Sequence, residues 1–348
     1  MRWGVIGAGV IGQMRARSVV LHPGDELAVI SDPNVEAARV AAAGTRARVE
    51  ADHRAFLSDG GIEAVIVSTP VQLHESIIGE ALSAGKHVLC EKPLSNSPDA
   101  CRRILEAAKR SGKHVAVGFN HRFYPAFHFM KRAIEDGRIG KLDEVRTYGG
   151  HDGLHNFRAD WMYKRPHSGG GAMMDVGIHM TDLARWMAGD VTEAYGVAGE
   201  NVWRVEGSED RALAVLRTAS GVPIQYAASW NEWKGYRAWI EAYGDRGMIR
   251  AQYGPMFNLL IEQEKPGAPR KRTYKPYLDV ALRERLRGWE STTLLSFRAE
   301  LAEFHSKLEG KRSLAADVWD GVQAVEIADA VYQSSRSGQP VRLRSREA

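Results

Sequence analysis

In the first third of the chain, short apolar runs alternate with longer stretches in which apolar residues recur at helical spacing. The runs predict strands over 2–6, 27–30, 62–67, 87–90 and 113–118. The stretches between them predict helices over 13–21, 35–43, 73–84 and 98–111. Strands that alternate with helices are typical of a parallel, doubly wound sheet, in which ligands bind outside the carboxyl ends of the strands.

Beyond residue 121 the pattern changes to extended runs that are joined by turns. One helix is predicted over 125–135. Strands are predicted over 143–148, 194–200, 211–219, 222–229, 238–242 and 247–251. The short turns between them predict antiparallel hairpins.

The last quarter of the chain contains two amphipathic helices, predicted over 292–308 and 319–336. The segment 263–287 has little periodicity, and we predict an exposed loop or a lid there. The whole pattern predicts two domains. They are an α/β domain with a doubly wound parallel sheet over 1–121 and an α+β domain with a mostly antiparallel open sheet over 122–348.

A glycine-rich motif follows the first predicted strand directly. Residues 7–12 read Gly-Ala-Gly-Val-Ile-Gly, and Asp32 ends the second predicted strand 20 residues after Gly12. Glycines at this spacing allow a tight turn, a close approach to a pyrophosphate and close helix packing, and the helix N-terminus attracts the anion. The Asp32 carboxylate can hold a ribose 2′-hydroxyl and would repel a 2′-phosphate. The motif predicts a site for NAD rather than NADP, although an unrelated glycine turn has the same local pattern.

Further polar residues fall where the predicted strands of the parallel sheet end. They are Ser68, Thr69, Glu91, Lys92 and Asn120. The carboxyl ends of parallel strands meet at one edge of a sheet, so chemistry is expected at these positions.

A second group of ionisable residues follows the glycine run 169–171. Asp175, His179 and Asp182 are spaced i, i+4 and i+7, which places them on one face of a helix predicted to extend to about residue 188. Apolar neighbours predict that this helix is largely buried, and buried polar groups need partners or a function. His179 is either a catalytic base or a core histidine that is hydrogen-bonded to Asp175 or Asp182. We predict no metal site, because H-E-x-x-H is absent and no cysteine is near in sequence.

Three of these residues suit the transfer of a hydride from an alcohol. Such a reaction needs a base for the hydroxyl proton and a cation or donor for the developing alkoxide. His179 suits the base and Lys92 the cation. Asp175 could orient His179 or hold a neighbouring substrate hydroxyl.

Composition narrows the classes of function. The chain has 348 residues, of which 44% are hydrophobic, and a net charge of +4. Its short basic clusters are interrupted by acidic residues, so no nucleic-acid partner is expected. No apolar run approaches the ~18–20 residues of a membrane span, and the N-terminus is already a predicted strand, so neither a membrane nor a signal peptide is expected. The two cysteines, Cys90 and Cys101, lack metal-ligand spacing and fit a cytoplasmic protein.

The motifs together resemble the Gfo/Idh/MocA oxidoreductase family, which includes glucose–fructose oxidoreductase and inositol dehydrogenases. The resemblance covers nearly the whole chain and rests on the glycine motif and the segments 68–74, 84–93, 120–123 and 169–179. It implies that Lys92, Asp175 and His179 are catalytic. It also implies an NAD site formed by Gly7, Gly9, Val10, Ile11, Gly12, Asp32, Ser68, Thr69, Pro70, His74, Glu91, Lys92 and Asn120.

The same resemblance implies a cis peptide at Lys92–Pro93, homodimers or homotetramers built on the open sheet, and a sugar, inositol or related cyclic polyol as substrate. The substrate contacts it favours are Lys92, Arg122, His155, Arg158, Trp161, Asp175 and His179. Other residues that could line the pocket are Tyr124, His151, Tyr163, Arg165 and His167.

Two alternatives stay open at this stage. One is a glycosidase that uses NAD for a transient oxidation and gives no net NADH. The other is a non-catalytic dinucleotide-binding sensor of the same fold, against which the intact Lys92, Asp175 and His179 argue. The direction of the reaction is open as well, because the same three residues can deprotonate an alcohol or protonate a ketone.

Overall fold

The computed structural model describes residues 1–153 and 160–344. The chain divides into two compact units. The first contains Met1–Phe123 and Leu286–Val322, and the second contains Tyr124–Arg285 and Gln323–Ala348. Among the described residues, no helix combines the length and the apolar composition that a bilayer span requires.

The predicted elements are present in the predicted order, and short strands and helices that the pattern did not predict lie among them. In chain order the strands are β1 (Arg2–Ile6), β2 (Glu26–Ser31), β3 (Arg48–Glu50), β4 (Ala64–Val67), β5 (His87–Cys90), β6 (Val115–Val117), β7 (Leu142–Gly150), β8 (Val191–Gly199), β9 (Arg211–Thr218), β10 (Pro223–Ser229), β11 (Arg237–Gly244), β12 (Gly247–Tyr253), β13 (Phe257–Glu262), β14 (Lys271–Pro276), β15 (Ala316–Asp317) and β16 (Val341–Arg342). The helices are α1 (Val10–Val20), α2 (Val35–Ala42), α3 (Arg54–Leu57), α4 (His74–Ser83), α5 (Pro98–Ser111), α6 (Pro125–Glu135), α7 (Arg165–Ser168), α8 (Gly177–Ala188), α9 (Leu278–Arg287), α10 (Glu290–Leu308) and α11 (Val318–Ser337).

The sheet of the first unit has the strand order β15-β6-β5-β4-β1-β2-β3. β1 to β6 pair in parallel, and β15 adds to β6 in antiparallel orientation. The order of the six parallel strands is that of a Rossmann sheet, so the predicted doubly wound parallel sheet is confirmed. All four residues of β4 are buried, as expected of a strand that is covered on both faces.

The core of the first unit extends from the sheet to α10. Trp3 and Phe304 are both fully buried, and their ring centroids lie 5.2 Å apart. Leu301 belongs to the same cluster. Burying an aromatic ring of this size contributes on the order of 2–3 kcal/mol. The contact ties a helix from the last quarter of the chain to the first strand.

The sheet of the second unit has the order β14-β13-β12-β11-β7-β10-β9-β8-β16, and its strand pairs are antiparallel except β7 with β10. The predicted mostly antiparallel sheet is therefore confirmed. α8 packs on β7 and β10, and α6 packs on β12. Gly177 lets α8 lie close to β10, because a Cβ there would come within 2.7 Å of the Ala228 side chain. This packing places the start of α8 at the ends of β7 and β10.

The segment 263–287 differs from the prediction of an exposed loop or lid, since it contains β14 and α9. β14 is an edge strand whose residues are mostly exposed, so it lacks the alternation of a half-buried strand. α9 buries Val280 but leaves Leu278, Leu282 and Leu286 exposed. β14 therefore gave no periodic signal, whereas Leu278, Leu282 and Leu286 recur at helical spacing, which is a signal for α9 that the prediction missed.

Candidate functional site

The glycine motif forms a tight loop between β1 and α1. Gly7 has a φ of +94°, and a Cβ on it would lie 2.6 Å from the Ser68 carbonyl oxygen. A Cβ on Gly12 would overlap the carbonyl oxygen of Gly7, whereas a Cβ on Gly9 would meet nothing within 4 Å. α1 begins at Val10, three residues earlier than predicted, and no side chain caps it. The loop thus presents uncapped N–H groups and open space at Gly9, which suits a bound pyrophosphate.

Asp32 lies beside this loop. Its Oδ2 accepts the N–H of Ala8 at 2.7 Å, and its Oδ1 accepts the N–H of Asn34 at 2.8 Å. The contact with Ala8 brings a carboxylate to the glycine motif, as the sequence predicted. A carboxylate here can accept a ribose 2′-hydroxyl and disfavours a 2′-phosphate.

The end of β4 supplies a second test of the dinucleotide site. Within residues 1–153 and 160–344, the buried hydroxyl oxygens of Ser68 and Thr69 have no hydrogen-bond partner. Buried hydroxyls without partners cost stability unless a ligand satisfies them, so these residues fit a bound cofactor. Pro70 follows them, and His74 is buried with its ring nitrogens 3.0 Å from the carbonyl oxygens of Thr69 and Pro93. His74 therefore holds the backbone of this edge.

Lys92 follows β5 at the same edge of the parallel sheet, and the Lys92–Pro93 peptide is cis, as the resemblance implied. The neighbouring Glu91 pairs with the guanidinium of Arg15 on α1, at 2.5 Å. Arg15 also pairs with Glu300 on α10, at 2.5 Å, and both of these side chains are fully buried. Burial raises the pKa of Glu300 to about 7, with Glu91 adding to the rise and Arg15 opposing it. Sequence reasoning missed Arg15 and Glu300, since Glu300 lies 285 residues from Arg15.

The residues after β6 are held within the first unit. The amide nitrogen of Asn120 donates to the Ser296 hydroxyl at 2.8 Å. Arg122 is 4% exposed, and its guanidinium lies 3.1 Å from the Asp320 carboxylate. His121 is also buried, and burial together with the charge of Lys92 lowers its pKa to about 3. These contacts favour a structural role for Arg122.

In the second unit, Asp175 lies in a turn just before α8, which begins at Gly177. The preceding glycine run is held by Glu209, whose carboxylate accepts the N–H of Gly171 at 2.7 Å and that of Met173 at 2.8 Å. Burial raises the pKa of Glu209, and these backbone donors oppose the rise. Glu209 therefore holds the backbone that leads into the turn of Asp175, and the sequence analysis did not select it.

The Asp175 carboxylate contacts side chains at the ends of two neighbouring strands. His151 follows β7, and its Nε2 lies 2.8 Å from Asp175 Oδ2. Trp230 follows β10, and its Nε1–H donates to the same oxygen at 3.2 Å. The sequence analysis included His151 only among residues that could line a pocket, and it made no prediction for this contact.

Other residues of the second unit that the sequence analysis selected differ in their burial. His179 and Asp182 are both buried on α8, at 7% and 1% exposure. Trp161 is half-buried in a short 3₁₀ turn, Asp160–Tyr163. His155 and Arg158 lie outside the described residues.

A cluster outside both sites contains metal-ligating residue types. His22, Asp25 and His305 bring a ligand atom each to within 4.8 Å of one another. Asp25 oxygens lie 2.9 Å from Nε2 of His305, 3.0 Å from Nδ1 of His22 and 3.3 Å from the amino group of Met1. The carboxylate of Asp25 therefore brings the amino group of Met1 and two imidazole rings together.

Two family descriptions match the chain. One reads "Oxidoreductase family, NAD-binding Rossmann fold" and matches residues 1–119. The other is the GFO/IDH/MocA C-terminal domain and matches residues 127–250. Together they cover most strands of both sheets, and the first identifies the parallel sheet as an NAD-binding Rossmann domain.

Individual proteins agree with these matches. Inositol 2-dehydrogenase 2 of Saccharopolyspora erythraea is 30% identical to the chain over 344 residues, which covers 97% of the chain and 94% of the relative. The 1,5-anhydro-D-fructose reductase of Ensifer adhaerens is 30% identical over 98% of both. The structure of the WlbA dehydrogenase from Bordetella pertussis, in complex with NADH and UDP-GlcNAcA, is 25% identical with a TM-score of 0.82, covering 99% of this chain and 98% of the other. The chain belongs to the Gfo/Idh/MocA family of oxidoreductases.

Proposed function

We propose that this protein is an NAD-dependent oxidoreductase that acts on a ring carbinol or ketone of a sugar, an inositol or a related cyclic polyol. The observation that carries the proposal is that Lys92 follows β5 at the sheet edge that holds the glycine loop and Asp32, in a chain of this family. The names of two relatives, an inositol dehydrogenase and an anhydrofructose reductase, support the substrate class.

Three residues take the chemical roles in this proposal. The ammonium group of Lys92 binds the substrate oxygen and stabilises the charge that develops on it. His179 accepts the hydroxyl proton during oxidation and returns it during reduction. Asp175 orients His179 or holds an adjacent hydroxyl of the ring. NAD, when bound, supplies the nicotinamide that takes the hydride.

The substrate contacts proposed from the sequence are kept in part. Trp161 offers an apolar face to a substrate ring. We propose that Trp161, His155 and Arg158 contact the substrate. Arg122 is left out, because its guanidinium is buried against Asp320. The sheet of the second unit leaves Tyr195 45% and Val215 55% exposed, which supports a homo-oligomer.

The cofactor preference follows from Asp32. Its carboxylate at the glycine loop supports NAD over NADP, because a 2′-phosphate would bring two negative charges beside it. We propose that NAD binds with the lower dissociation constant of the two.

The test is NADH formation by the purified protein with a panel of inositols, aldoses, uronic acids and glycosides, in the presence of NAD or NADP. Lys92→Ala should lower turnover roughly 100- to 1000-fold, the cost of removing one stabilising donor, while NAD still binds. Lys109→Ala is the matched control, because Lys109 is an exposed lysine of α5 that pairs with Glu106.

Four results would contradict parts of the proposal. Near-normal turnover by Lys92→Ala would contradict the role of Lys92 in binding the substrate oxygen. Tighter binding of NADP than of NAD would contradict the role of Asp32 in cofactor preference. A free aglycone released from a glycoside with no net NADH would instead indicate the glycosidase. NAD binding without turnover of any compound, in either direction, would indicate the sensor.

A further inference from the structure

We infer that His151 is a positioning residue for Asp175, acting as a neutral imidazole that donates a hydrogen bond from Nε2 to the carboxylate. The inference rests on the proposed function, in which Asp175 serves the reacting group. His151, at the end of β7, thereby joins the site in its Nε2–H tautomer.

The tautomer follows from the two contacts of the imidazole ring. The N–H of Gly153 donates to Nδ1 of His151 at 3.0 Å. A nitrogen that accepts a hydrogen bond carries no proton, so the proton of a neutral ring is on Nε2. Nε2 faces Asp175 Oδ2 at 2.8 Å, which is the distance of a charge-assisted hydrogen bond. His151 is thus a donor to Asp175 and cannot be a second base at Nδ1.

The backbone of His151 is held as firmly as its ring. Its N–H donates to the carbonyl oxygen of Ser229 at 3.1 Å, and its carbonyl oxygen accepts the N–H of Glu232 at 3.0 Å. Both contacts are with the chain that leaves β10, which also carries Trp230. The two donors to Asp175 therefore come from the ends of two paired parallel strands, and they have a fixed separation.

The effect on Asp175 is electrostatic and geometric. The carboxylate side chain is 21% exposed and that of His151 is 12% exposed, so water screens their contact weakly. Trp230 is 1% exposed and donates to the same oxygen. Two N–H groups on one oxygen stabilise the charged carboxylate and set its plane. A carboxylate that is held in this way can orient a base or a substrate hydroxyl without a search among rotamers.

The experiment compares two substitutions at His151. His151→Leu removes the donor, and turnover should fall roughly 10- to 100-fold, as expected from the loss of one hydrogen bond to a charged group. His151→Gln keeps an N–H near the position of Nε2 and should recover most of this loss. The dissociation constant of NAD should change little in both variants, because the glycine loop and Asp32 belong to the first unit, and melting temperatures identify any variant that is less stable.

Trp230 provides a second arm. Trp230→Phe removes the weaker donor to Oδ2 and should lower turnover by less than His151→Leu. Trp233→Phe is its control, because Trp233 is 87% exposed. Equal activity of the leucine and glutamine variants, or wild-type activity in both, would overturn the positioning role.

The tautomer can be measured without turnover. In ¹⁵N NMR of the full chain, His151 should be a neutral ring protonated on Nε2, and Asp175→Asn should shift its Nε2 signal. A ring protonated on Nδ1 would overturn the inference even in an active enzyme. If the wild type turned over none of the substrates, that result would instead contradict the proposed function. The two failures are therefore distinguishable.

Discussion

The glycine loop of the first unit and the Asp175 turn of the second unit present polar groups in opposite ways. The loop uses backbone N–H groups at the uncapped start of α1, where Gly7 and Gly12 allow close packing and Gly9 leaves open space. The turn uses a side chain, Asp175, that is held by other side chains from distant strands. A backbone site is damaged by adding atoms, whereas a site built on side chains is damaged by removing partners.

The largest effect should come from adding one methyl group to the loop. Gly12→Ala places a Cβ against the carbonyl oxygen of Gly7, so we expect loss of measurable NAD binding and about 1–3 kcal/mol of lost stability from overpacking. Gly9→Ala is the matched control, because its Cβ would face open space. It should fold normally and only weaken NAD binding.

Titration with NAD and urea unfolding of both variants make this comparison. If Gly12→Ala bound NAD as tightly as the wild type, the close packing of residue 12 against Gly7 would not be required for NAD binding. If Gly9→Ala unfolded more easily than Gly12→Ala, the assignment of open space at Gly9 would be wrong.

Removing a partner in the second unit should cost stability and leave NAD binding intact. Glu209→Ala leaves the N–H groups of Gly171 and Met173 unsatisfied, at roughly 1–3 kcal/mol for each buried donor. Tyr332→Phe removes only the hydroxyl that donates to Glu209 at 3.0 Å and should cost less.

Urea unfolding gives the free energies, and NAD titration is the counter-measurement. NAD affinity should persist in Glu209→Ala, because the glycine loop lies in the other unit. A stability equal to that of the wild type would mean that the glycine run holds its conformation without Glu209.

The smallest effect is the pH dependence of stability that His121 causes in the first unit. Burial and the charge of Lys92 lower the pKa of His121 to about 3, below its ordinary value near 6.5. Between these two pH values the unfolded chain binds a proton at His121 that the folded chain does not bind. The free energy of unfolding is therefore unaffected by His121 above pH 6.5 and decreases as the pH falls below it. The loss at pH 5 should be about 2 kcal/mol from this residue.

His121→Gln should show a flatter decline of the unfolding free energy between pH 7 and pH 5 than the wild type. His53→Gln is a control, because that histidine is half-buried in the same unit and lies next to the carboxylate of Glu80. Identical slopes for the wild type and His121→Gln would show that His121 is protonated in the folded state.

Sequence reasoning reached the two sites to different depths. Gly7, Gly12 and Asp32 were found together because the loop's constraints act over short distances along the chain. His151 and Trp230 lie 24 and 55 residues from Asp175, and Glu209 lies 38 residues from Gly171. No spacing rule links them, since their contacts depend on which strands pair. α9 was missed although Leu278, Leu282 and Leu286 recur at helical spacing, because most of the residues between them are charged.

By itself the sequence determined most of the longer strands and helices, the two kinds of sheet and the dinucleotide loop. These depend on local periodicity and on the conformations that glycine allows, which are properties of neighbouring residues. Only the tertiary structure decided which donors hold Asp175, that Arg15 lies between Glu91 and Glu300, and that Arg122 is paired. Such partners are chosen when strands pair and helices pack, because hydrogen bonds and ion pairs form between whichever groups the fold brings within about 3 Å.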